Sequence, residues 1–122
     1  MKTFVSTDAI PISVGDNAAD NDRVRRAAHQ DDLWFHLHNL PSTHVILHSH
    51  GINKIPRSSI NEAAQLVKYF SSRELSVVTV NYIKVRYIQG TPKLGQVILK
   101  KQASSIQVSE NYDTLKYFNL VS

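Results

Sequence analysis

"DDLWFHLHNLPSTHVILHSH", residues Asp31 to His50, is the stretch whose reading decides the fold. Leu33, Phe35 and Leu37 alternate with Trp34, His36 and His38. Val45 and Leu47 alternate with His44, Ile46 and His48. Successive strand side chains point to opposite faces of a sheet. The pattern therefore predicts two strands, Leu33–His38 and His44–His48, joined by the hairpin loop "NLPST". Pairing His38 with His44 gathers Leu33, Phe35, Leu37, Val45 and Leu47 on the core face, where each buried side chain contributes roughly 1.5–3 kcal/mol. A one-residue slip would bury the imidazoles instead, so the apolar parity sets the orientation. The second face then carries Trp34, His36, His38, His44, Ile46 and His48. It either meets solvent or the underside of another element, with its histidines hydrogen-bonded within the protein, or is open to a ligand.

Working outward, "TFVST" (Thr3–Thr7) and "IPISV" (Ile10–Val14) read as short strands around a turn at Asp8-Ala9. Pro11 suits an edge strand or an irregular strand start. Gly15 breaks the pattern, and Asp16 or Asn17 can cap the helix "AADNDRVRRAA", with a start as late as Asn21 as the alternative. Its acids precede its arginines, as the helix dipole favours. A second helix is predicted from about Ile60 to Ser72. Ser59 and Glu62 form the S-x-x-E capping box, and Ile60, Ala63, Ala64, Val67 and Phe70 form the buried stripe. "LSVVTVNYIKVRYI" (Leu75–Ile88) is strand-like, with a bend near Asn81 to Ile83. "QVILK" and "SSIQVS" are two further strands, and the tail after Ser109 is a helical turn or mobile. The expectation is an α+β domain of seven or eight strands, mostly antiparallel, with two helices on one sheet face. It is read as a single domain over 1–122, with a core of about 10–108 and a tail of 109–122.

The chain has 122 residues and no cysteine. That excludes disulfides, zinc–thiolate sites and thiol catalysis, and is compatible with a reducing compartment. No apolar run approaches the ~20 residues of a membrane span, and the N-terminus lacks the apolar core of a signal peptide. A cytoplasmic location is expected. The formal net charge is +4 and the pI about 9.5. From Lys54 to Lys101 stand nine Lys and Arg against Glu62 and Glu74 alone. An anionic partner is expected on that half.

Catalytic chemistry is weakly signalled. There is no P-loop, no G-x-G-x-x-G and no nucleophile elbow. His36, His38, His44 and His48 could chelate across the hairpin, but no carboxylate shares their face. Trp and His planes can instead stack on unpaired bases.

Several segments are similar, in order and spacing, to one family. "ISVGDNAADND" (Ile12–Asp22) looks like I-x-V-G-x-N-x-x-x-N-D. "DDLWFH" (Asp31–His36) looks like D-(D/L)-W-(F/L)-H, and "LPSTHVIL" (Leu40–Leu47) like (V/I)-P-G-S-H-V-I-(I/L). "INEAAQLVKYFS" (Ile60–Ser71), "VTVNYIKVRYI" (Val78–Ile88) and "GTPKLGQV" (Gly90–Val97) complete the series. The chain resembles the NFACT-R domain, the RNA-binding module of ribosome quality control factors. The motif residues include Gly15, Asn17, Asn21, Asp22, Asp32, Pro41 and Gly95. Departures fall at Asn39, Ser42, Ile83 and Leu94, at loops and strand ends. The N-terminal, helix-hairpin-helix and coiled-coil regions of full-length members have no counterpart here. The Met1 start and native-looking C-terminus favour a free-standing protein over an excised domain.

The resemblance implies a non-enzymatic RNA-binding module for tRNA or rRNA, associated with the large ribosomal subunit in quality control or translation. No cofactor, metal, membrane or small-molecule substrate is expected. The expected contact residues are Arg23, Arg26, Trp34, His36, His44, Lys84, Arg86 and Lys93, with Arg25 beside them. Lys84 and Arg86 share a strand parity. Three alternatives stand beside this reading. The first is a protein-binding adaptor that uses a sheet edge or the tail. The second is DNA binding, since such a domain also occurs in a membrane-associated coiled-coil protein that senses DNA. The third is a His-ligated metal enzyme.

Overall fold

The computed structural model describes residues 1–122. In chain order the elements are β1 (Lys2–Val5), β2 (Pro11–Val14), α1 (Ala18–Ala27), β3 (Leu33–Leu37), β4 (Val45–Leu47) and α2 (Arg57–Ser71). Then come β5 (Val77–Lys84), a 3-10 turn (Val85–Tyr87), β6 (Ile88–Gly90), β7 (Val97–Leu99), β8 (Ser104–Ser109) and α3 (Tyr112–Tyr117). Six strands form one sheet in the order β1-β2-β4-β3-β5-β8, and β6 pairs with β7 in a separate ribbon. Every pairing is antiparallel. The α+β class is as the sequence indicates.

The hairpin forms with its predicted faces but a different register. Phe35 sits opposite Val45 and Leu33 opposite Leu47, whereas pairing His38 with His44 would set Phe35 opposite Leu47. A two-residue shift preserves parity. Leu33, Phe35, Leu37, Val45 and Leu47 accordingly join Ile12, Val14, Val78 and Val80 in the main core. The longer connection closes locally: the Leu37 N–H donates to Ser42 Oγ (3.1 Å). Asn39 adopts φ 56, a left-handed conformation that Asn tolerates better than most residues. Pro11 begins β2, which is an interior strand between β1 and β4. There its missing N–H costs the ladder least.

α2 covers the main face with Ile60, Ala63, Ala64, Leu66 and Val67. It starts at Arg57, with Pro56 as N-cap and no side-chain cap, so the predicted capping box does not form. Ser59 and Glu62 are spent on the β1–β2 turn. Ser59 Oγ donates to Asp8 Oδ2 (2.6 Å), and the Glu62 carboxylate accepts the Thr7 N–H (2.8 Å) and Thr7 Oγ1–H (2.5 Å). The tail is helical: α3 buries Leu115, and Phe118 at its C-terminal end is also buried.

The second sheet face lies under another element, which overturns the expectation of a face open to a ligand. α1 crosses it, and Val24 packs with Trp34, Ile46, Ile83, Val85 and Ile88 in a second core. The helices therefore lie on both faces, not one. The covering residues come from α1, which precedes the hairpin, and from the end of β5 and the chain that follows it. β5 runs straight past the predicted bend and ends at Lys84. There the Val85 N–H donates to Asp32 O (2.9 Å) and the Arg86 N–H to Gln30 O (3.0 Å), turning the chain. Arg86 thus lies in the 3-10 turn and does not share a strand with Lys84.

Candidate nucleic-acid interface

α1 is held by polar groups, not by an apolar stripe. Asn17 Oδ1 caps it by accepting the Asp20 N–H (2.9 Å). Asp20, Asn21 and Asp22 are all buried. Asn21 Oδ1 accepts the His44 N–H (3.1 Å). A Cβ at Gly15 would stand 2.0 Å from that oxygen, which explains a glycine there. Asp22 Oδ2 accepts the Gly95 N–H (3.0 Å). Gly95 has φ 76 and lies against Ala18, where a Cβ would approach to 3.2 Å. The motif residues Gly15, Asn17, Asn21 and Gly95 line one hollow together with Pro41 and His36, and Asp22 anchors its rim.

His44 ties three distant segments together. Trp34 Nε1–H donates to His44 Nδ1 (3.1 Å). Nδ1 is then an acceptor, so Nε2 carries the proton and donates to Gly95 O (3.0 Å). Burial disfavours the charged ring, His36 adds to this, and the pKa is lowered to about 4. His44 is therefore neutral near pH 7. Trp34 is 3% exposed and His44 fully buried. Neither can stack on a base or bond a phosphate, so the expectation of direct contact is corrected for both.

His36 is half-buried, with its ring stacked on Trp34 (centroids 5.2 Å, 18° between planes) and edge-on to His44 (5.3 Å). Burial lowers its pKa despite a hydrogen bond to Leu37 O. Asp32 sits at the opposite end of the hairpin, fully buried. Its carboxylate accepts from His50 Nδ1 (2.7 Å), His48 Nδ1 (3.2 Å) and the N–H groups of His29 (2.9 Å) and His50 (3.0 Å). Burial pushes this carboxyl up, but those donors outweigh it and hold it below the ordinary range. His48 Nε2 also meets Ser13 Oγ (2.7 Å). That serine is buried. His44 and His48 thus have both ring nitrogens engaged by protein, and no three His, Asp or Glu side chains are grouped to hold a metal ion.

The cations divide sharply. Arg25 is 13% exposed and lies against Gly90, beside Asp22, so it locks the ribbon to α1. Arg23 is exposed and paired with Asp20 (3.0 Å). Arg26 and Lys93 are exposed, Lys93 at the 91–95 turn. Lys84 and Arg86 meet at one carboxylate, Asp31: Lys84 Nζ at 3.8 Å and Arg86 through Nε (3.1 Å). Arg86 holds the Asp31 pKa low, with Lys84 adding to it. A hollow of about 300 Å³ beside them is lined by Tyr82, Lys84, Tyr87, Lys101 and Ser104. Lys101 Nζ lies 4.1 Å from the Tyr87 ring centroid. Tyr87, Lys100 and Lys101 are not among the expected contact residues. The adjacent lysines within the basic half, with a nearby aromatic, were the signal.

No helix is long and apolar enough to cross a membrane. In comparison with known proteins, residues 1–104 match the family model described as NFACT protein RNA binding domain. The Rqc2 homolog RqcH of Bacillus subtilis (strain 168) is 34% identical over 91 residues, 73% of this chain and 15% of that protein. Coiled-coil domain-containing protein 25 of Bos taurus is 30% identical over 82 residues, 65% of this chain and 39% of that protein. The chain thus spans a minor part of the length of these relatives. Among solved structures, the C-terminal of the fibronectin/fibrinogen-binding protein from Streptococcus suis superposes with TM-score 0.84 at 26% identity, covering 96% of this chain and 48% of that one. With a family model matched from Met1 to Ser104, the chain belongs to the NFACT RNA-binding domain family.

Proposed function

We propose that this chain is a non-enzymatic RNA-binding module that acts in translation, in the ribosome quality control setting that the name of its RqcH relatives denotes, with tRNA or rRNA as its ligand. The observation that carries the reading is the family match over residues 1–104. The surface chemistry supports it. Lys84, Arg86, Lys100 and Lys101 are exposed and cluster around Tyr87, with Asp31 as the carboxylate that keeps Lys84 and Arg86 in place. Phosphate displaces Asp31 as the partner of these cations, and Arg offers it a bidentate fork. Arg26 and Lys93 are additional cations for a longer strand, and Arg23 must first leave Asp20. Trp34 and His44 serve from below, by fixing the shape of the surface.

Salt dependence tests this directly. Four phosphate contacts give a slope of log K against log salt of about −3 to −4. The variants Lys84→Ala and Lys101→Ala each flatten the slope by about one unit. Affinity for tRNA that does not change with salt, or equal slopes in wild type and both variants, refutes this surface as the interface. A salt-insensitive complex with protein in the absence of RNA refutes the RNA reading.

A further inference from the structure

The side of the second face nearest the hairpin loop carries a feature that the cationic strip does not use. Two adjoining hollows, of about 440 and 470 Å³, share His36, Pro41 and Gly95 in their walls. Each lies within the ~300–1,000 Å³ of ordinary ligand pockets. The only charged residues lining them are Lys2 and Asp16, which pair with each other. A phosphate therefore finds no free cation there. What the trough offers is a locked imidazole and an apolar lip. Leu40 and Leu94 are 44% and 61% exposed at its mouth, and Leu99 is 37% exposed along its length.

The imidazole has a defined hydrogen-bonding role. His36 Nδ1 lies 2.6 Å from Leu37 O, a pure acceptor, so Nδ1 carries the proton. The neutral ring then presents Nε2 as a lone pair, and no protein group donates to it. Stacking on Trp34 and the edge of His44 fixes the ring plane. The trough follows β7 through Val97 and Leu99, and the next residues are Lys100 and Lys101 of the cationic strip. The trough thus adjoins the strip at the end of β7.

We propose that the trough is a base-reading subsite: it takes one unpaired, amine-bearing nucleobase, adenine or cytosine, whose exocyclic N–H donates to His36 Nε2 while its ring lies against the Leu40 and Leu94 side chains. Adenine N6 and cytosine N4 are amino donors, whereas guanine and uracil carry a carbonyl, O6 or O4, at the equivalent position. Single-stranded RNA is read in this way, through the edges of splayed bases. This rests on the RNA reading above and adds base preference to it.

The test uses short oligouridine and the same oligomer with one central adenosine or cytidine, measured by fluorescence anisotropy at fixed salt. Wild type binds the adenosine and cytidine forms more tightly than all-uridine by about three- to tenfold, the worth of one neutral hydrogen bond. His36→Phe, which keeps the stack on Trp34, removes that difference and leaves the salt slope intact. Lys84→Ala with Lys101→Ala weakens all three oligomers alike and leaves the difference intact. Should His36→Phe fold poorly, the imidazole ¹⁵N spectrum of the wild type decides: the His36 Nε2 resonance moves with the adenosine form and stays with all-uridine. Salt-dependent binding that is equal for all three oligomers overturns the subsite while the RNA reading stands. Absence of binding to any oligomer and to tRNA overturns both.

Discussion

His44 makes stability depend on pH in a window where most surface groups are silent. Its folded pKa is lowered from 6.5 to about 4 by burial. Above pH 6.5 neither the folded nor the unfolded chain protonates this ring. As pH falls below 6.5 the unfolded state binds a proton that the folded state refuses, so stability drops. The loss continues until the folded ring also titrates, near pH 4. Integrated over the whole window it is about 3 kcal/mol, of which about 2 kcal/mol falls between pH 7 and pH 5. His36 acts in the same direction. The carboxylates that are held low, Asp32 among them, act only below their ordinary range. His44→Gln isolates the effect, because Gln retains an acceptor for Trp34 and a donor for Gly95 but does not titrate. Urea unfolding at pH 7 and pH 5, followed by the fluorescence of the sole tryptophan, Trp34, gives the comparison. The drop in stability between the two pH values should be about 2 kcal/mol smaller in the variant. An equal drop in both proteins would refute the assignment of His44 as a buried neutral link.

Other perturbations test the remaining polar ties. His44→Phe leaves Trp34 Nε1–H and Gly95 O without partners, at about 1–3 kcal/mol each at pH 7 in the same urea assay. Gly15→Ala drives a methyl group into Asn21 Oδ1 and should cost about 2–4 kcal/mol, read as a fall in Tm. Asp32→Asn leaves fewer acceptors for four converging N–H groups. It should destabilise by about 2–4 kcal/mol at neutral pH. The deficit should narrow as pH falls below the carboxylate range, where the wild type also loses this contribution. Asn39→Ala, at φ 56, should cost about 1 kcal/mol, while Asn39→Gly at the same site should be neutral or stabilising.

The hairpin was legible because its information is local. Alternation alone places Leu33, Phe35, Leu37, Val45 and Leu47 inward, and that survives a two-residue error in register. What covers the other face was not legible. Trp34 and Ile46 meet Val24, Ile83 and Ile88, and nothing in the hairpin names those partners. α1 misleads for a related reason. A segment reading Asp-Asn-Asp looks solvated, yet each of these side chains is buried and takes a specific N–H or guanidinium partner. The Ser59/Glu62 pattern marks no cap: both residues lie inside α2, which begins at Arg57. The same oxygens that could cap α2 found Thr7 and the β1–β2 turn instead. Of the candidate site, the cations were readable as charge, but their meeting at Asp31 and the role of Lys101 depend on the 3-10 turn that follows β5.

The clamp on Gly95 has a consequence for the order in which the molecule assembles and comes apart. Its amide is held by Asp22, 73 residues away, and its carbonyl by His44, 51 residues away. Neither bond can form until α1 and the start of β4 are in place, and contacts this distant in sequence are slow to close. The 91–95 turn is therefore a late arrival during folding and an early departure under stress. Amide exchange at Gly95 serves as a sentinel, reporting loosening of this rim before the main sheet loses protection.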